Sequence, residues 1–291
     1  MKYIKFTILF IVIALFIPCI SGHSEAPAYT QKYFNDFEDY SIWPGSNISD
    51  QTGRVAGWDY TSPEAWTANG TTGTNHGYYF RVMSDFGYYK GGKSFKINHN
   101  SSYSSVTNAY LKCHFKDDAG NPVSLSGNKN IRVEFDFKST ANYAQGGNGT
   151  ISLGSDVGGT FVTAGSMSLF QASPQIVVVG DSSGTRRGFI ADEWYHVTFD
   201  FDVVYQSYTV TLVKDGDTVP TFSVNVPYVT ALADISYLRI MTRRGQSYYI
   251  DNLRVSALGN DTTAIRLGNG LANHAVNLPL TQIYRVDFWG A

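Results

Sequence analysis

The chain reads as an all-β protein built as a two-sheet antiparallel sandwich, and three observations predict it. Tyr and Phe number 20 and 18 in 291 residues, and aromatic residues favour strands. Numerous short runs rich in β-formers, several with clean apolar–polar alternation, follow one another, separated by Gly, Asn and Asp turns. No long helical pattern and no repeat period interrupts them. Many strands without helices bury their apolar faces by packing as two layers.

The elements follow in order. Residues 1–22 read as a secretory signal. Lys2 and Lys5 form a positive start, Phe6 to Ile17 an apolar core, and Ser21 and Gly22 offer cleavage points. That apolar run is short for a bilayer span, so the expectation is a secreted or cell-surface protein with no membrane partner. Anchoring through Cys19 is a poorer reading, because Pro18 precedes it. With Cys19 in the signal, Cys113 is the one mature thiol; no internal disulfide is expected, and Cys113 reads as a small buried residue. Five N-x-S/T sequons occur, at Asn47, Asn69, Asn100, Asn148 and Asn260; a chain this rich in Asn, Ser and Thr reaches that number by chance.

The domain proper runs over 30–257. Phe34–Tyr40 is its first strand, and Gly45–His76 is a long loop punctuated by Trp58 and Trp66. Strands are predicted at 78–83, 94–98, 109–115, 130–138, 150–153, 167–170, 175–179, 193–204, 207–213, 222–226, 237–242 and 248–256, with a helical turn at 230–235. Residues 258–291 form a C-terminal tail or an added strand.

Alternation sorts side chains by face. Ile131, Val133, Phe135 and Phe137 oppose Arg132, Glu134, Asp136 and Lys138. Tyr195, Val197, Phe199 and Phe201 oppose Trp194, His196, Thr198 and Asp200. Leu238 and Ile240 oppose Tyr237 and Arg239, and Phe80 and Val82 oppose Arg81. The second sets mix arginines, carboxylates, a histidine and aromatics. Such a face suits sugars, whose hydroxyls need planar hydrogen-bond partners and whose C–H faces need flat rings. It equally describes an ordinary wet sheet face with cross-strand ion pairs. In Tyr248–Ser256 the same alternation puts Asp251 on the face of Tyr249, Leu253 and Val255, which reads as core. A buried carboxylate there needs a cation or a set of donors.

Several functions are excluded. Net charge is −2 and no basic run is present, so nucleic acid is not an expected partner. Gly87–Ser94 fits the Walker A letters, but Phe95–Asn98 continues as a strand where a helix is required. Gly180–Gly184 fits G-x-S-x-G without a following helix, and reads as a hairpin turn. Metalloprotease, C-x-x-C and E-x-D-x-E patterns are absent. Glu134 and Asp136 project to one face at a spacing that permits glycoside hydrolysis. Arg132, His196 and Tyr237 could instead serve a lyase, with Arg neutralising a uronate and His or Tyr moving protons.

The run Glu193–Phe199 followed by Tyr208–Gly216 resembles the W-x-x-V…Y-x-V-Y-V-D-G hairpin of concanavalin A-like (LamG-type) jelly rolls. Phe34–Asp39 and Ile250–Val255 are similar to the terminal strands of secreted carbohydrate-active modules with that fold. The resemblance implies a jelly roll over roughly 34–256 whose terminal strands pair beside a structural Ca²⁺. Glu38 and Asp251 would be ligands, with backbone carbonyls completing an oxygen shell. Asp251 can instead pair with an arginine or cap the Gln246-Ser247 turn. The chain lacks the hydrolase carboxylate signature and the R-x-E-x-R, Q-I-H and Y-x-K-x-G signatures of alginate lyases; Arg132-Val133-Glu134 keeps a fragment of the first.

The leading expectation is therefore a secreted module that binds a polysaccharide through Trp58, Trp66, Arg81, Arg132, His196, Tyr237 and Arg239. The rival is a lyase or hydrolase using Glu134, Asp136 or His196, and a third reading is a surface or adhesion scaffold. The sequence does not name the glycan or the oligomeric state.

Overall fold

The computed structural model describes residues 29–39, 58–59, 78–83, 92–99, 108–117, 119–139, 149–170, 174–243 and 247–258; for 58–59, 78–83, 98–99, 108–110 and 243 it describes the backbone alone. The signal, Trp66 and the tail beyond 258 lie outside these residues. Fifteen strands and no helix are present among them: β1 (Thr30–Asn35), β2 (Trp58–Asp59), β3 (Tyr78–Met83), β4 (Ser94–His99), β5 (Asn108–His114), β6 (Asn130–Ser139), β7 (Gly149–Val157), β8 (Thr160–Phe170), β9 (Gln175–Val178), β10 (Arg187–Gly188), β11 (Trp194–Asp202), β12 (Ser207–Lys214), β13 (Phe222–Pro227), β14 (Tyr237–Arg243) and β15 (Ser247–Leu258). The helical turn expected at 230–235 is absent; that stretch is irregular, joining β13 to β14.

Two antiparallel sheets form, as expected. The first runs β13-β12-β11-β6-β15-β4-β3, with β1 also on β15; the second runs β10-β9-β8-β7-β14-β5-β2. The alternation of β6 and β11 explains how they meet. Ile131, Val133, Phe135 and Phe137 stand beside Val197, Phe199 and Phe201 of the neighbouring strand on the core side of the first sheet, all at 0% exposure. Facing them from the second sheet are Leu111, Ile151, Leu153, Met167, Leu238 and Ile240. Parallel ring stacks such as Phe135–Phe199 at 6.3 Å and Phe199–Tyr208 at 6.2 Å fill the layer between. Cys113 is 1% exposed there, and burial pushes its thiol up to about 12, so it is chemically quiet.

The β7–β8 hairpin is much longer than the expected 150–153 and 167–170. Small residues hide its alternation: Gly154, Ser155, Thr163, Ala164 and Gly165 carry little apolar signal. Gly165 is small for a reason, since a Cβ there would come within 2.7 Å of Phe201 Cε1 and 3.1 Å of Tyr208 Cδ2. The ring layer of one sheet needs that gap in the other.

β15 organises the first sheet. One edge pairs with β6 over nearly its whole length. The other edge pairs with β4 from Ser247 to Ile250, then with β1 from Leu253 to Ala257. The change of neighbour falls at Asp251-Asn252. There the β6 register jumps from Asp251↔Asp136 to Arg254↔Glu134, so one extra residue sits on β15. This is a β-bulge, with Asn252 at φ 51°. β1 stops at the same seam, where Phe37 has φ 60° and its N–H donates 2.9 Å to Asn35 Oδ1.

The bulge corrects the face expected for Asp251. Tyr249 and Asp251 lie on the outer face of the first sheet, whereas Leu253, Val255 and Ala257 point into the core. One inserted residue reverses the parity of everything beyond it.

Candidate functional site

The outer face of the first sheet carries most of the polar side chains that the sequence nominates, and register sets their order. On adjacent strands Arg132 lies opposite Asp200, Glu134 opposite Thr198, and Asp136 opposite His196. Arg132 donates from Nε at 2.6 Å and from a terminal nitrogen at 2.9 Å to the two Asp200 oxygens. This two-point bond holds the guanidinium charge more firmly. Its carbon lies 4.5 Å from the centre of the Tyr29 ring. Burial and the Asp200 carboxylate raise the Tyr29 phenol.

His196 is bracketed. Nδ1 lies 2.9 Å from Asp136 Oδ1, and Nε2 lies 3.4 Å from Glu134 Oε1. Asp136 is 5% exposed, while the His196 side chain is 43% exposed. The hydrogen bonds to Asp136 and then Glu134 push the imidazole up to about 9, so it is a cation at neutral pH. In return the His196 contact lowers the Glu134 carboxyl. A glycosidase general acid needs a raised carboxyl, and Glu134 is moved the other way. A lyase base needs a free ring nitrogen, and both nitrogens of His196 face carboxylates.

A stability consequence follows from the sign of this shift. The His196 contribution is complete below the unfolded value near 6.5 and is lost as pH rises through about 9. Tm should therefore fall between about pH 6.5 and 9 in the unmodified chain, and His196→Asn should flatten that fall. Superimposable Tm–pH curves for the two would contradict the bracket.

Around this centre stand further groups that sequence reading missed. Arg254 lies opposite Glu134 on β15, with its guanidinium 5.2 Å from the Phe34 ring of β1. Phe34 is 39% exposed. Asn252 donates from Nδ2 to Asp136 Oδ2 at 2.8 Å. Trp194, Tyr249, Lys96 and Lys138 form a further row, Tyr249 being 1% exposed with Lys96 at 5.1 Å and Lys138 at 6.0 Å from its ring. The signal for Arg254 and Phe34 lay in their strands, but their pairing did not.

Tyr237 and Arg239 do not join this group, which corrects the expectation that they bind one polysaccharide together with Arg132 and His196. They belong to β14, in the second sheet, and face outward on the opposite side of the sandwich. Tyr237 stacks on His114 at 4.2 Å, with Lys112 at 4.9 Å from its ring. Arg239 lies 4.2 Å over Phe161, and Lys112 pairs with Asp156 at 2.8 Å. Alternation showed that β6 and β14 each had a polar face, but it does not say which sheet a strand joins. Arg81 lies in β3 and Trp58 in β2; their side chains, and all of Trp66, are outside the described residues.

Glu38 and Asp251, the residues expected to hold a metal, lie along the seam of β1, β4 and β15. Glu38 Oε1 accepts the Lys93 N–H at 2.9 Å, and Lys93 Nζ donates to the Glu38 carbonyl. Asp251 is 1% exposed and accepts the Asn252 N–H at 2.7 Å. Burial, and then the carboxylates of Asp136, Glu38 and Asp36, push its carboxyl up to about 8 against that one donor. The donors are hard oxygens, the type calcium takes. Among the described residues, no three Asp, Glu, His or Cys side chains converge closely enough to enclose an ion.

No protein-family model matches the sequence, and no curated protein matches it. Among solved structures the chain is similar to a sialidase, at 13% identity and a TM-score of 0.43, over 63% of this chain and 17% of the sialidase. It is similar to a carbohydrate esterase from the Shiga toxin-encoding bacteriophage phi24B, at 18% identity and 0.43, over 79% of this chain and 99% of that one. It is also similar to lectin II from Ulex europaeus, at 11% identity and 0.34, over 56% and 89% of the two chains.

Proposed function

We propose that this chain is a secreted polysaccharide-binding module whose contact surface is the outer face of β11, β6 and β15, and that it binds without turnover. One observation carries the reading: planar charged groups stand in register there, already fixed by one another, beside aromatic rings. Arg132–Asp200 and Glu134–His196–Asp136 offer oriented donors and acceptors for sugar hydroxyls, and Phe34 and Tyr29 supply flat apolar surface. Fixed groups lose little rotamer freedom on binding, which favours affinity. The commitment of both His196 nitrogens supports binding over catalysis.

We further propose a structural calcium ion at the seam, held by Asp251 and Glu38 with backbone carbonyls. A divalent cation would remove the electrostatic cost that now raises the Asp251 carboxyl. There it would tie the first strand to the last.

Binding to an array of polysaccharides, followed by titration of the best ligand, tests the surface. Arg132→Ala or His196→Ala should weaken Kd tenfold or more, about 1.4 kcal/mol, while Arg239→Ala should leave it unchanged. Reducing ends and ultraviolet-absorbing unsaturated products should stay flat. Weakening by Arg239→Ala alone, or product formation that His196→Ala abolishes, would overturn the reading.

A further inference from the structure

We infer that Asn252 is a positioning residue, which holds the Asp136 carboxylate in the orientation that brackets His196 and so joins the strand seam to the sheet-face site. The observation is a continuous set of contacts. Asp136 divides its two oxygens between two partners on opposite sides: Oδ1 lies 2.9 Å from His196 Nδ1, and Oδ2 accepts the Asn252 Nδ2–H at 2.8 Å. A carboxylate held at both oxygens cannot rotate about its own axis. With Asn252 removed, the imidazole alone would orient it. The second carboxylate, Glu134, is a longer contact at 3.4 Å.

Asn252 reaches Asp136 because it is the inserted residue of the bulge. Its φ of 51° is a backbone state that Asn tolerates better than most residues. Its own N–H, meanwhile, donates 2.7 Å to Asp251 Oδ1. One residue therefore switches the sheet face, marks the change of neighbour from β4 to β1, and fixes the site's buried carboxylate.

The groups facing His196 are few. From β6 these are Glu134 and Asp136, with Arg132 and Lys138 further along. From its own strand comes Asp200, and from β15 come Asp251 and Arg254. β12 presents Thr211 and Val213, neither of which titrates. No other imidazole competes as the reporter on this face among the described residues.

The test is an NMR titration of the His196 ring in the full chain. Asn252→Gly keeps the left-handed backbone but removes the carboxamide. If Asn252 positions Asp136, the His196 pKa should fall from about 9 towards 6.5, by about one unit or more. An unchanged or raised value would overturn the inference, because a merely structural bulge residue would not move it. In the unmodified chain, the Asn252 side-chain N–H resonances should shift as His196 titrates; invariance would equally contradict it. This second measurement stands if the variant fails to fold.

Any effect on ligand rests on the glycan reading above, and the two can be told apart. A lowered pKa with unchanged glycan affinity upholds the positioning role and counts against the surface. Weakened affinity with an unchanged pKa does the reverse.

Discussion

Gly154→Ala should destabilise the chain by about 3 kcal/mol or more, a fall in Tm on the order of 10 °C for a domain of this size. Gly154 sits where the β7–β8 register slips, between Leu153↔Gly165 and Gly154↔Thr163. A Cβ there would overlap the Val162 carbonyl oxygen, 2.9 Å from its carbon and 3.1 Å from Thr163 Cα. These are backbone atoms of a paired strand, so no side chain can step aside. Relief would require opening the hairpin that β14 also leans on through Tyr237↔Gly154. Gly158→Ala is the matched control. Its φ of 60° strains an alanine, but nothing lies within 4 Å, so the cost should stay near 1 kcal/mol. Thermal melts followed by circular dichroism decide the matter, and equal Tm values for the two variants would contradict the packing described.

Calcium should raise Tm, and EDTA should lower it, with an effect that depends on Asp251. Saturation at about 100 times Kd corresponds to roughly 2.7 kcal/mol. The pH dependence has a definite sign. Without a cation, the Asp251 carboxyl is raised to about 8 from an ordinary value of 3.8. Its contribution is complete below the ordinary value and is lost as pH rises through about 8, because the buried group must then ionise. Melts in EDTA should therefore show Tm falling towards pH 8, and calcium should flatten that fall by taking the proton's place. Asp251→Asn keeps the shape and removes the charge. In EDTA at pH 8 it should melt at least as high as the unmodified chain, and it should ignore calcium. An unmodified chain whose Tm is indifferent to EDTA would rule out the ion.

Much of the sandwich was legible because its long strands alternate cleanly. Ile131–Lys138 and Tyr195–Asp202 point as their sequences predict, and that parity alone places Arg132, Glu134, Asp136 and His196 outside. Two kinds of information were not local. Pairing is the first: Arg132 and Asp200 are 68 residues apart, and nothing in either strand says they are neighbours. The same gap misplaced Tyr237 and Arg239, whose strand carries an equally polar outer face but joins the other sheet. Interruption is the second. Asn252 reverses the face of β15, and the one hint was an Asn inside a run of β-formers, a residue type that accepts φ > 0. The hairpin around Gly154 and Gly165 was cut short at 150–153 and 167–170, because both glycines answer to atoms of other strands, which alternation does not register.

Ligand should lie on the outer face of β11, β6 and β15. Chemical-shift mapping during titration with the best array glycan tests it most directly. The largest shifts should fall at the His196 ring, the Arg132 Nε–H and the Phe34 ring, with His114, Tyr237 and Arg239 unmoved. Shifts centred on those second-sheet residues, with His196 and Arg132 silent, would contradict it.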